Sequence, residues 1–316
     1  MNWKRFTVCL LCLLVLSGAA LAQTEVITLT CAGDALLGCN EKVRPMEYAF
    51  DRYIEKYGYE YPFAGLQSLF ANDDVTLVNL EVVLADEPTE KAAKSRYIFR
   101  GTTDYAKILT AGSVEVVNLS NNHTMDYGQA GFDSTIAALE KEGIAYCGST
   151  AGGSHTYIYE KNGIKIGFIG VLPGYWVNNK AHQADLIAKF DGLKEAGCQV
   201  IVASLHCGKE YLAKHDDIHD KYEKICLKYG ADLIIGTHPH VPQGVAVKDG
   251  VYTGHQMTIW PIHISGTSPE NNYQPVLVEG EDAQKVMKMI QRDTRFKLNP
   301  YVDGEGAVQE FVAVKQ

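Results

Sequence analysis

Short apolar runs alternate with longer stretches of mixed polarity along most of this chain. Val26 to Ala32 is β-branched and apolar and stops at Gly33-Asp34, which predicts a buried strand ending in a loop, with Asp34 at its carboxyl edge. Tyr61 to Phe70 has helical spacing behind Pro62; Val75 to Leu80 follows as a second strand, and Glu81 occupies its end. The same grammar repeats with a helix over 104–110, a strand over 114–119, a loop Ser120 to Thr124 and an amphipathic helix over 129–142. Strands are predicted over 144–147, 156–160 and 164–171, the last two joined by the turn Lys161-Asn162-Gly163. A helix over 181–195, a strand over 199–204, a helix over 215–228 and a strand over 232–235 complete the series. After Gly250 the pattern weakens to a loop near 268–272, a helix near 282–292 and a strand near 308–314.

Strands alternating with helices in this way predict an α/β fold, and in such folds ligands collect outside the carboxyl ends of the strands. Five predicted strand ends deliver side chains able to bind a metal or move a proton: Asp34, Glu81, Asn122 with His123, His206, and His238 with His240. Singly, each has a plainer reading. An Asp or Asn after a strand often only bonds nearby backbone, and His206 alone could be a satisfied core histidine. Two imidazoles in Thr237-His238-Pro239-His240 are harder to dismiss, because both can reach one site and Pro239 stiffens the link. Carboxylates, an amide carbonyl and neutral imidazoles together suit divalent manganese, iron or zinc. One or two such ions are expected.

Composition narrows the choice of partner. The net charge of -9 excludes nucleic acid, whose affinity comes from Lys and Arg neutralising phosphates. An anionic substrate stays possible, since bound cations reverse the field inside a cleft. Basic MNWKRF, an apolar stretch and the small-residue site Ala20-Leu21-Ala22 have the pattern of a secretory signal peptide over residues 1–22, which predicts export and one domain over 23–316. Its core would span about 26–250, with 251–316 as a C-terminal part. Cys31, Cys39, Cys147, Cys198, Cys207 and Cys226 are scattered through apolar segments, and most read as buried free thiols. Cys207 beside His206 reads as packing, because neighbours on a strand point to opposite faces. Gly33 and Gly38 form no phosphate-binding loop signature, so no nucleotide cofactor is implied.

The segments AGDALLG (32–38), YPF (61–63), DDVTLVNLEVVL (73–84), LSNNHTMDYGQAGF (119–132), SLHCGKEYL (204–212) and GADLIIGTHPHVPQ (230–243) occur in order across most of the chain. So arranged, they resemble the CapA-like proteins of bacterial poly-γ-glutamate capsule synthesis, a branch of the calcineurin-like metallophosphatase superfamily. The resemblance implies an α/β/β/α sandwich of two facing sheets with helices outside and a metal cleft at the strand ends. It implies that Asp34 and His240 hold one ion, that Asn122, His206 and His238 hold a second, and that Glu81 bridges them. His123 would protonate the leaving group, with Asp126 orienting it.

Two departures from the family pattern stand out. Leu36 occupies the position where the wider superfamily carries a histidine, which leaves the first ion short of a ligand. The strand that family members show after the His-Pro-His loop is altered or lost over 251–265, where His255 and His263 read as isolated surface histidines. The function implied is a metal-dependent hydrolase outside the cytoplasmic membrane, acting on a phosphoester or an anionic polymer, with membrane-bound capsule machinery as a possible partner. The alternative is a non-catalytic envelope protein that binds or anchors the polymer.

Overall fold

The computed structural model describes residues 27–87, 96–148, 155–173, 180–248, 251–254, 280–294, 300–302 and 308–311. The signal-peptide segment, the loop near 268–272, His255 and His263 lie outside them. Two sheets dominate. The first is fully parallel and contains β1 (Leu29–Ala35), β2 (Val75–Leu80), β5 (Val116–Asn118) and β6 (Ala145–Cys147), in that order. The second runs β11 (Val245–Lys248), β12 (Val251–Gly254), β10 (Leu233–Thr237), β9 (Val200–His206), β8 (Ile164–Val171) and β7 (Thr156–Lys161), antiparallel only at its two edges.

Helices cover the outer faces. Against the first sheet pack α1 (Phe50–Tyr57), α2 (Gln67–Phe70), α3 (Ala106–Ala111) and α4 (Gly128–Glu142), through a core that includes Phe50, Phe70, Leu109 and Leu139. Against the second pack α5 (Lys180–Glu195) and α6 (Asp217–Tyr229), through Leu186, Phe190, Tyr222 and Cys226. A short pair, β3 (Val83–Leu84) and β4 (Arg100–Gly101), flanks the first sheet. Helix α7 (Gly280–Asp293) reaches β11 through Asp293, which accepts from the amide of Gly244, and the hairpin of β13 (Pro300–Val302) and β14 (Val308–Phe311) follows it in the chain. The expected α/β/β/α sandwich is the architecture observed. Among the described residues no helix is long and apolar enough to cross a membrane.

The two sheets meet through a third core of Cys31, Val75, Leu77, Val116, Ile166, Phe168, Val202 and Ile235. Side chains alternate across a strand, so the inward positions can be read row by row. In the first sheet Cys31, Leu77, Val116 and Ala145 pair across one row, and Asp34, Asn79, Asn118 and Cys147 pair across the next. In the second sheet Phe168, Val202 and Leu233 give way to Gly170, Ser204 and Ile235, and then to His206 and Thr237. The layer between the sheets therefore changes from oil to polar groups toward the carboxyl ends of the strands. This gradient positions the site.

Several expectations change in detail. β1 does not stop before Gly33-Asp34 but continues through Asp34 to Ala35, because its register on β2 carries a bulge between Cys31 and Asp34. The helix expected over 61–70 is confined to Gln67–Phe70, behind a run of turns, while α1 lies upstream, with Phe50, Tyr53, Ile54 and Tyr57 at helical spacing along one face. Of the stretch 251–265, thought altered or lost as a strand, Val251–Gly254 forms a strand hydrogen-bonded to β10 in parallel, and 255–265 lie outside the described residues. The six cysteines are free; all are buried except the half-buried Cys198. Cys207 joins the helix-side core while His206 faces inward, as strand alternation requires.

Close approach of the sheets leaves no space at Gly170, where an added Cβ would stand 2.2 Å from Asn118 Oδ1 and 2.8 Å from Gly148 Cα. Gly170→Ala is expected to lower stability by about 2 kcal/mol, the usual scale of overpacking a rigid core, as read by urea unfolding.

Candidate metal centre

Five strands of the sandwich bring six predicted residues together at or just beyond their carboxyl ends: Asp34 on β1, Glu81 just after β2, Asn122 in the loop after β5, His206 closing β9, and His238 and His240 after β10. Asp34, Glu81 and His206 are 2%, 4% and 1% exposed, so this is a buried cluster of charges and not a solvated acidic face. Ligand atoms of Asp34, Glu81 and His206 converge in one group, and those of Glu81, His238 and His240 in another. Glu81 belongs to both. Two of the pairs the resemblance implies are also in contact, Asp34 with His240 at 3.2 Å and Asn122 with His206 at 2.6 Å.

His206 is held on both ring nitrogens. Its Nδ1 lies 2.9 Å from Thr237 Oγ1 and 3.1 Å from Asn79 Nδ2, and its Nε2 lies 2.6 Å from Asn122 Oδ1 and 3.6 Å from Glu81 Oε1. Asn79 also donates to Asp34 Oδ1 at 2.8 Å, and its own Oδ1 accepts from Asn118 and Asn121. Asn121 ties the loop down by donating to the Leu80 carbonyl and accepting from the His123 amide, which leaves its neighbour Asn122 to face His206.

The Thr-His-Pro-His loop wraps Asp34. The amide of His238 donates to Asp34 Oδ2 at 3.1 Å, and His240 Nδ1 stands 3.2 Å from the same oxygen. Both histidines have positive φ, 96° and 58°, a region that costs a side-chain-bearing residue energy and recurs at functional sites. Leu36, at the place of the expected histidine, packs into the helix-side core.

Beside the cluster, His123 Nδ1 contacts Asp126 Oδ2 at 2.8 Å, and that oxygen also accepts from the Phe99 amide at 2.7 Å. The Phe99 ring meets the imidazole edge-on with centroids 4.6 Å apart. His123 Nε2 is thereby turned toward Glu81 Oε1, 3.9 Å away. This is the arrangement expected of a proton donor oriented by a carboxylate.

Electrostatics separate the two buried acids. Burial pushes Glu81 well above the usual carboxylate range, and the charge of Asp34 adds to it. Burial acts on Asp34 in the same sense, but its contacts with His206 and His240 outweigh it and hold that carboxyl well below the range. Burial, reinforced by His206, depresses His238 to about 3. Burial also lowers His206, whereas for His240 the opposing pull of Asp34 wins and raises it.

These residues fit a cation. His238 Nδ1 is buried without a hydrogen-bond partner. His206 Nε2 and Asn122 Oδ1, each able to offer a lone pair, point at one another across 2.6 Å, a contact that needs a proton or a cation between them. Two carboxylates, an amide oxygen and three imidazoles form a donor set suited to borderline divalent metals. The prediction from sequence did not include Asn79, Asn118, Asn121 or Thr237. Asn79 and Asn118 were signalled by strand parity, as polar residues in line with Val75, Leu77 and Val116 on the inner face.

Residues 28–257 match the family described as bacterial capsule synthesis protein PGA_cap. The capsule biosynthesis protein CapA of Bacillus anthracis is 26% identical, over 72% of this chain and 58% of that protein. The PGA biosynthesis protein CapA of Bacillus subtilis is 24% identical, over 72% of this chain and 60% of that protein. The chain thus spans less than two thirds of the length of these relatives. Among solved structures, NAD nucleotidase of Haemophilus influenzae overlaps loosely, at 16% identity and a TM-score of 0.41, over 65% of this chain and 44% of that one. With its match extending from β1 through β12, this chain belongs to the bacterial capsule synthesis protein family PGA_cap.

Proposed function

We propose that this protein is an exported, metal-dependent hydrolase of phosphoesterase type that works in capsule-polymer biosynthesis outside the cytoplasmic membrane. Its substrate is a phosphoester or an anionic polymer of the poly-γ-glutamate kind, handled beside membrane-bound capsule machinery. The observation that carries this reading is the pair of ligand groups sharing Glu81, with the His123 and Asp126 dyad turned toward that same carboxylate.

Asp34, Glu81, Asn122, His206, His238 and His240 would hold one or two divalent ions, manganese, iron or zinc. Bound there, such ions supply Lewis acidity, polarising a phosphoryl oxygen and easing deprotonation of water. The chain's own groups do the rest. Asp126 fixes His123 through Nδ1, so Nε2 is the atom that hands a proton to the leaving oxygen. Asn79 and Thr237 keep the His206 ring in place, as outer partners of a ligand do. The net charge of -9 disfavours the alternative of passive polymer binding, since an acidic surface repels a polyanion.

With manganese, the wild type is expected to hydrolyse a generic aryl phosphate. Asp34→Ala and His238→Ala should lose metal, counted by elemental mass spectrometry, together with turnover. His123→Ala should keep its metal and lose about 10²- to 10⁴-fold in kcat. Equal turnover in all four proteins, or none in any, would sink the hydrolase reading, and polymer binding that survives chelation would favour the passive one. Asn79→Leu is expected to weaken metal affinity about 10- to 100-fold while far-UV circular dichroism stays unchanged.

Loading should also release protons. Before metal arrives, burial favours the proton on Glu81, and Asp34 favours it on His240. Both must leave for these groups to ligate, while His238, depressed to about 3, has no proton to lose near neutrality. Affinity for manganese therefore falls as pH drops. Calorimetry in buffers of different ionisation enthalpy checks this, and proton uptake on loading is the contrary result.

A further inference from the structure

Five non-glycine residues have positive φ among the described residues: Ser113, Asn162, Tyr211, His238 and His240. Ser113 follows helix α3, and Asn162 lies in the turn between β7 and β8, where such backbone is ordinary. The other three gather at the cluster. Tyr211 is the one with no role so far. Its φ is 58°, costly for an aromatic residue. The loop that carries it bends through Gly208, at φ +106°, which packs against His219 so tightly that a Cβ would lie 2.0 Å from the ring.

This conformation does not bury the side chain. Tyr211 is 68% exposed. Its amide donates to the carbonyl of Pro239 at 2.7 Å, between the two loop histidines, and its ring centroid stands 5.9 Å from that of His240. An exposed ring held in strained backbone gains little packing energy in return, and such strain is a mark of function. Some burial, with the charges of Glu210, Tyr97 and Glu81, pushes the phenol upward, so it remains an O–H donor at neutral pH.

We propose that Tyr211 is a substrate-positioning residue, its phenol donating a hydrogen bond to an anionic oxygen, phosphate or carboxylate, of a molecule bound at the cluster. This rests on the hydrolase reading only in placing such a molecule there. The hydrogen bond to Pro239 ties the Tyr211 backbone to the His238 and His240 loop.

The test compares manganese-loaded wild type, Tyr211→Gly and Tyr211→Phe in three measurements. Glycine accepts positive φ without strain but adds freedom to the unfolded chain, so Tm for Tyr211→Gly should stay within about 2 °C of wild type or rise. KM for an aryl phosphate should increase about tenfold in both variants, the worth of one hydrogen bond to a charged oxygen, with kcat within about twofold. Calorimetric affinity for inorganic phosphate should fall by the same factor.

A Tm loss beyond about 5 °C in Tyr211→Gly marks a structural residue and overturns the proposal. So does a Tyr211→Phe variant with wild-type KM and phosphate affinity, or a wild type that binds no phosphate. If the wild type binds phosphate without turning over any ester, and both variants bind it more weakly, the hydrolase reading fails while this assignment stands. Turnover with unchanged KM and phosphate affinity in the variants gives the reverse.

Discussion

The hydrogen bond from Asn79 to Asp34 exists because β1 has one residue more than β2 between the rows they share. Cys31 pairs with Leu77 and Asp34 with Asn79, so three steps along β1 match two along β2. Without that extra residue, alternation would turn Asp34 into the helix-side core. With it, the carboxylate reaches the inner face opposite His206, 3.6 Å from its Nδ1. The rest follows from this displacement. Asp34 receives the His238 amide and stands against His240, and those contacts hold the His-Pro-His loop over the cluster at positive φ. A bulge beside a functional site is a recurrent way to re-aim one side chain without disturbing a sheet.

The polarity gradient between the sheets allows this cluster to be buried. An isolated carboxylate or imidazole in an apolar core is costly, and the cost is reduced only by partners. Asn79, Asn118, Asn121 and Thr237 supply them, forming a continuous hydrogen-bonded floor between the oil of Leu77, Phe168 and Val202 and the ligand atoms above. Gly148 and Gly170 let the sheets close on this floor, since a methyl group at either would meet Ser120 or Asn118.

Much of this was legible in the sequence, because the signals were local. Apolar, β-branched runs of four to eight residues placed the strands, the Asp, Glu, Asn or His at or beyond five of their ends placed the six candidate ligands, and the order of the motifs placed the sandwich. Longer-range facts were not legible. The bulge in β1 depends on pairing with β2, which no single strand encodes, so the strand was ended too early. Val251–Gly254 looked unlike the segment expected there, yet it pairs with β10, because an apolar, β-branched stretch needs only a free partner edge to become a strand. Helix α1 was legible too, since Phe50, Tyr53, Ile54 and Tyr57 follow helical spacing; what the spacing does not foretell is that a charged residue, Asp51, is buried beside Phe50 and Ile54. That Asp51 accepts from Arg44 and Cys39, bonds that depend on residues outside the helix.

The opposite behaviour of Asp34 and Glu81 follows from the same geometry. Both are buried, and burial favours the neutral acid in each. Asp34 has two imidazoles within 3.6 Å and stays charged. Glu81 has His206 Nε2 at 3.6 Å and His123 Nε2 at 3.9 Å, beyond hydrogen-bond reach, and it feels the negative field of Asp34. A proton relieves that field in part. A divalent cation held by these residues would relieve it more fully, because it would offset the charge of both carboxylates, and His238 has a buried Nδ1 to offer it. The arrangement is thus poor at holding two negative charges alone and well suited to holding them around a divalent cation.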